Sequence, residues 1–506
     1  MNEERVSLSE IQYRRLFPWL VIFRCFKLAV DPKKLLIALV GLTLFSVGWH
    51  AINLGFMHNV FVAEGEEGGV SPVVATDYPW AANGIAPRVW AAYGTEGESP
   101  LEVLNSAVDN PLAFLWHIAT RWEVLLLPFR ELMEPFRAIF SARYMPSRLS
   151  VTIPAVNWTI DAGYLVYLVA LALWASICWG IAGGAISRIA AMQLGRDERV
   201  TLRESLGYTF RYAVSLITAP FIPLFGVALF TFFCLVGGWI SNIPAFGPFF
   251  AGVLWFLPLL AGLILALLVV GWAVGWPLMV PTLAVEGSDA FDAVSRAFAY
   301  SYQRPWNYLF YGFLAVVYGA IATFIYLLFA QLTIYLSVWA VAWGASDQLL
   351  ADLIRQLPGY TYRLLAVAAT ASEQPSTYVQ YASYFMMFWI MLVVMTGPAF
   401  VYSFFWSVAT AVYLLLRRDV DATDMDEIWV EEEEEDLFSE SFSVETQATP
   451  EPATVGQGAT EETGAATTGE AAAEASSDTA PGQTGGEQQT GQSSEQEGTS
   501  EKPEQS

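Results

Sequence analysis

Between Arg211 and Glu286 the chain carries no Asp, Glu, Lys, Arg or His. A buried helix of a soluble protein is rarely apolar for more than ~12 residues, whereas a bilayer-spanning helix needs ~20. This stretch is long enough for two spans and a turn. Ser241-Asn242-Ile243-Pro244 and Gly247-Pro248 are its only clustered turn signals. The pattern therefore predicts a helical hairpin in lipid, with spans near 213–238 and 249–280.

Four more apolar stretches have spanning length: 35–57, 163–186, 306–340 and 384–416, the last broken near Gly397-Pro398. Between them the periodicity changes to that of amphipathic helices. Residues 1–34 interleave Arg14, Arg15, Arg24, Lys27, Lys33 and Lys34 with Trp19, Phe23 and Phe26, a pattern suited to the headgroup zone. In the outer segment 58–160, Phe129, Leu132, Met133, Phe136, Ile139 and Phe140 recur at helical spacing. Arg130, Glu131, Glu134 and Arg137 are assigned to its polar face, and Pro135 is expected to kink or split the helix. Residues 112–129 approach a span in hydropathy, but His117, Arg121 and Glu123 interrupt them, which points to a surface-lying or re-entrant helix.

Thr201-Leu202-Arg203-Glu204 has the form of a capping box opening a short amphipathic helix. Ser288 or Asp289 can open a similar one. At an offset of 88, Glu204 aligns with Asp292, Leu206 with Val294 and Phe210 with Phe298, as in an internal repeat or two unrelated amphipathic helices. Gly180-x-x-x-Gly184 and Gly271-x-x-x-Gly275 form notches that admit a close neighbour.

Charge locates the sides. The net charge of −24 lies almost wholly after Asp419, where Lys502 is the sole base, so the body is nearly neutral and gives no reason to expect nucleic acid. With 1–34, 187–211, 284–306 and the tail inside, the inner segments hold more than twice the Lys and Arg of the outer ones. That asymmetry predicts a cell (inner) membrane protein with both termini cytoplasmic. The tail, 419–506, is acidic and then of low complexity, a composition expected to be disordered. Its aromatic and apolar positions Trp429, Leu437, Phe438 and Phe442 suit either docking of a basic cytoplasmic protein or a merely solvated tail.

The candidate chemistry is sparse. Cys25, Cys178 and Cys234 have no metal-like spacing, and His50, His58 and His117 make no helical metal pair. No phosphate loop, nucleophile elbow or zinc-protease helix is found, so no cofactor or catalytic residue is assigned and the chain reads as a non-enzyme. Glu131 with Glu134, and Asp289 with Asp292, fit polar-face or cap roles. Pro220 and Pro223, Pro277 and Pro281, and Gly397-Pro398 interrupt spans, as kinks or as the marks of a solute path.

Glu286-Gly287, Ser295-Arg296, Arg304 and Trp306 follow an apolar span and open the next. On these residues, 281–314 resembles a turn of several uncharacterised multi-pass bacterial families. It is also similar to one in the membrane portion of membrane-anchored glycerophosphodiester phosphodiesterases. The resemblance implies interfacial helices alternating with spans, and no reaction. The catalytic domain of those phosphodiesterases has no counterpart in this chain.

The expected fold is all-α: a polytopic integral membrane protein with about six transmembrane helices, interfacial helices and a disordered acidic tail. Its parts are 1–34, 35–57, 58–160, a five-span domain at 161–418, and 419–506. Two functions are carried forward. One is organisation of the bilayer or recruitment of partners through the tail; the other is a carrier for a neutral or lipid-like solute.

Overall fold

The fold, taken from a computed structural model, is described for residues 17–56, 78–140 (without 82–83 and 94–99), 151–158 (without 154–155) and 162–430 (without 245, 360, 362–364 and 366–375). After a 3-10 turn at Pro18–Leu20 come α1 (Val21–Ala29) and α2 (Pro32–Phe56). The outer segment supplies α3 (Ile85–Ala91), α4 (Pro100–Asp109), α5 (Pro111–Ala119) and α6 (Glu123–Phe140). It also carries one antiparallel ribbon, β1 (Val151–Ile153) with β2 (Val156–Trp158). Next come α7 (Ala162–Gly195), α8 (Leu202–Arg211), α9 (Ala213–Thr218) and the uncharged hairpin, α10 (Phe221–Ser241), α11 (Gly247–Val253) and α12 (Phe256–Glu286). The remaining helices are α13 (Ala290–Gln303), α14 (Pro305–Ala342), α15 (Asp347–Ile354) and α16 (Thr377–Asp421).

The protein is an all-α polytopic membrane protein. Among the described residues seven helical segments are long and apolar enough to cross a bilayer. Six of them match the expected spans. The seventh, Pro111–Ala138, joins α5 and α6 across the turn at Thr120 to Trp122. In the hairpin, α10 and the first half of α12 are mostly exposed, as lipid-facing spans are. The second half of α12 is mostly buried from Gly271 to Val285, and α7 and α16 form the buried centre. At 45 residues α16 is about 67 Å long, more than twice a ~30 Å hydrocarbon core.

One end of the bundle, here the base, is tied by the short helices. Thr201 and Glu204 exchange both capping-box bonds, and Asp289 accepts from the Asp292 amide at the start of α13. Gly184 lies against Thr209 and Leu216, and Gly180 against the Leu216 carbonyl. Gly271 and Gly275 lie against Phe298, Gly275 also against Ala297. Each notch thus holds the amphipathic segment that follows in sequence, at equivalent positions Thr209 and Ala297. Glu286 gathers Arg417 at 2.8 Å, Arg296 at 3.5 Å and the Tyr413 hydroxyl at 2.8 Å. Gly287 ends α12 in the left-handed region, φ 64°, where a side chain would be strained. The resemblance residues Glu286, Gly287 and Arg296 therefore belong to this knot.

Several expectations change. One part of the basic segment's apolar face meets protein, while Phe17, Leu20 and Phe23 stay exposed: Val21, Ile22, Cys25 and Ala29 are buried, and Ser403 on α16 donates to the Ala29 carbonyl at 2.9 Å. Burial pushes the Cys25 thiol up to about 12. Neither Pro135 nor Gly397-Pro398 breaks its helix; α6 and α16 run continuously through them. Proline lacks the amide that would pair with the carbonyl four residues back, so Pro398 frees the Val394 carbonyl. The Trp90 indole of α3 donates to that oxygen at 3.0 Å, and Gly397 provides the room. A side chain from the outer segment thereby replaces the missing helix bond.

Trp90→Phe should then leave a buried carbonyl orphaned and cost about 1–3 kcal/mol in detergent-solubilised unfolding. Pro398→Ala restores an amide donor, so the same Trp90→Phe change should cost much less in that background. Equal costs in the two backgrounds would show that the indole does not serve this carbonyl.

Candidate functional site

The helices α3 and α6 do not lie on the surface. Ile85, Ala86, Val89 and Trp90 of α3 are buried, as are Val124, Leu125, Leu127, Leu132, Met133 and Phe136 of α6. Phe129 meets Trp276 with ring centroids 5.8 Å apart, and Phe136 meets Trp272 at 5.0 Å. Gly319 lies against Leu125 so closely that a Cβ would collide with it. Following α3, the Tyr93 hydroxyl donates to the Ala320 carbonyl at 2.9 Å. The Leu101 amide donates to the Gln331 side chain at 2.9 Å. The outer segment is thus re-entrant, packed among α7, α12, α14 and α16.

The insertion carries charge into the bundle. Arg88 on α3 pairs with Glu131 on α6 at 2.8 Å, and the other carboxylate oxygen of Glu131 accepts from the Tyr402 hydroxyl of α16. The Tyr402 ring stacks on Trp179, centroids 4.2 Å apart and 10° from parallel. Trp179 is about midway along α7, and Phe45, 6.1 Å from it, is midway along α2. The ion pair therefore lies at mid-depth. The Glu131 side chain is only 6% exposed, while that of Arg88 is 35% exposed. The assignment of Glu131 to a solvated polar face is corrected: it lies on the buried stripe with Val124, Leu127, Leu132 and Phe136. Its phase on the helix was the available signal, since it falls one turn from both Leu127 and Pro135.

Above the pair opens a cavity of about 650 Å³. Its charged lining is Arg88, Glu123, Arg130, Glu134 and Arg137, and its apolar lining includes Leu126, Leu127, Phe129 and Met133. Arg137 is paired with Glu134 at 2.7 Å. Arg130 and Glu123 have no ion-pair partner among the described residues. Arg88 is the one side chain that both faces this groove and holds the mid-depth carboxylate.

The span interruptions are grouped around the same insertion. Pro220 accepts from the Trp272 indole at 3.0 Å, and its neighbour Phe221 meets Phe136 at 5.8 Å. Pro223 is buried one turn into α10. Pro277 and Pro281 are buried or half-buried within a continuous α12, next to the Trp276 that meets Phe129. Gly397 and Pro398 receive Trp90.

The acidic segment begins as ordered structure. Residues through Val430 cross the base as a strap. Trp429 donates its amide to the Val285 carbonyl at 3.0 Å, and its ring covers Gly287. Arg188 donates to the Trp429 carbonyl and Arg196 to the Ile428 carbonyl, each at 2.9 Å. Trp429, a candidate docking residue, packs on its own chain while remaining partly exposed. Leu437, Phe438 and Phe442 lie outside the described residues. So does His58, while His50 packs on Tyr78 at 5.1 Å. Among the described residues no three His, Cys, Asp or Glu are grouped to hold a metal.

Removing one partner of a buried ion pair costs ~3–5 kcal/mol, and partial wetting of Arg88 lowers this to about 2–3 kcal/mol for Arg88→Met. Adding Glu131→Gln should recover most of the loss, measured as thermal unfolding in detergent. A double variant as unstable as the sum of the singles would remove the pair from the argument. No protein-family model, curated protein or solved structure matches this chain.

Proposed function

We propose that the protein is a carrier for a lipid-like amphiphile with an anionic head. The carrying observation is the groove, which sets Arg88 and Arg130 beside an apolar wall and whose Arg88 also holds the buried Glu131. A charge is costly in hydrocarbon, and where it occurs it marks solute or ion paths. Carriers place such sites near the midplane. Arginine suits carboxylate, sulfonate and phosphate heads, because its planar fork donates two parallel hydrogen bonds. Leu126, Phe129 and Met133 then offer apolar contact to a chain. The alternative, partner recruitment through the tail, has Trp429 packed against Gly287 on its own chain, although the side chain stays 38% exposed.

The same reading orients the molecule. Arg188, Arg196, Arg199, Arg203 and Arg211 are at or near the base, which by charge asymmetry faces the cytoplasm of a cell membrane. The groove then opens from the opposite side.

The test uses the full chain in nanodiscs with decanesulfonate, which stays ionised at all working pH values. Wild type should bind it saturably. Arg130→Met should weaken binding roughly ten- to a hundredfold, the loss of one charge-assisted bond worth ~1.5–3 kcal/mol. Reconstituted wild type should also speed the crossing of a fluorescent acyl phosphate in liposomes. Absence of saturable binding, or binding untouched by Arg130→Met, would defeat the proposal.

A further inference from the structure

We propose that the carrier is proton-linked, with Glu131 taking up one proton each time an anion engages Arg88. This rests on the carrier reading above and adds the coupling ion. The geometry carries it. Arg88 lines the groove, donates its Nε–H to the Gly84 carbonyl at 3.3 Å and one amino group to Glu131 at 2.8 Å, so an anion arriving in the groove competes with Glu131 for the charge of the same guanidinium. With the site empty, the pair is neutral. With an anionic head on Arg88 and Glu131 still ionised, mid-depth would hold a net negative charge in apolar surroundings. Several kcal/mol oppose that state, whereas a carboxyl group sheds the cost by binding a proton.

The charged and titratable groups facing Glu131 are few. Arg88 approaches from α3, the Tyr402 hydroxyl from α16, and Arg130 from its own helix. The α7 side offers the uncharged Trp179, stacked behind Tyr402. The nearest faces of α12 offer Trp272 and Trp276 to α6. None of these but Arg88 can neutralise Glu131 at contact distance.

The step balances simply. Arg88 remains a cation and exchanges one anion for another. Glu131 gains one proton from groove water and becomes a carboxylic acid, while Tyr402 keeps its own proton. One anion and one proton enter together, and the charge at mid-depth is unchanged.

The sign for pH follows. A proton taken up on binding makes binding weaken as pH rises, by about tenfold per unit while Glu131 is ionised in the empty site. Decanesulfonate titrations of wild type in nanodiscs, in buffers of different ionisation enthalpy, should give close to one proton taken up per anion. Glu131→Gln, which keeps the shape of the side chain, should retain binding, take up no proton and lose the pH slope. Wild-type binding with no proton uptake would overturn the coupling and leave the carrier standing. Uptake that persists in Glu131→Gln would overturn the assignment to Glu131. No binding by wild type would overturn the carrier reading itself, and the pH slope of wild type tests the coupling even if the variant fails to fold.

Discussion

An ion pair at mid-depth of a hydrocarbon-embedded bundle is the constraint on which the rest depends. Glu131 cannot face lipid, and it cannot stand alone among apolar side chains. Three elements must converge to hold it: α6 carries it, α3 brings Arg88, and α16 brings Tyr402. Convergence of α3 and α6 in turn forces the outer segment inward, between α7, α12, α14 and α16. Trp179 stacks behind Tyr402, and a groove lined by α3 and α6 lies beside the pair.

Backbone chemistry fits the same arrangement. Hydrocarbon offers no water to an unpaired carbonyl, so a proline in a span needs a substitute donor. At Pro398 the donor is Trp90, two residues after Arg88 on the same short helix. One docking event therefore satisfies a carbonyl, fills the notch at Gly397 and delivers a cation. The proline in α16 and the insertion of α3 explain each other.

How much of this is written in the sequence varies by kind of information. Span length and charge avoidance are local, and they identify the uncharged hairpin, the other long helices and the capping box at Thr201 and Glu204 without any partner. Glu131 was harder. Spacing alone places Glu131 and Glu134 side by side, yet one is buried on Arg88 and the other pairs with Arg137 near the groove. Only the far partners Arg88 and Tyr402 separate them, and those contacts span 43 and 271 residues. Trp429 shows the converse. An aromatic among acids resembles a tether for another protein, but Gly287 and the arginines of α7 give it a seat on its own body.

The distribution of contacts also says where a carrier of this build can move. The base is cross-tied: Glu286 joins α12, α13 and α16, the glycine notches clamp the short helices, and the strap crosses Val285 and Arg188. Opening it would break many charge-assisted bonds at once. Polar bonds tie α6 to α16 at Glu131 and Tyr402 and α3 to α16 at Trp90, the Arg88–Glu131 pair joins α3 to α6, and apolar contacts surround them. If an anion replaces Glu131 on Arg88, the strongest of those ties is exchanged rather than lost. On the proposed carrier reading, α3 and α6 are the elements that would move between an empty and an occupied groove, with the base as the fixed frame.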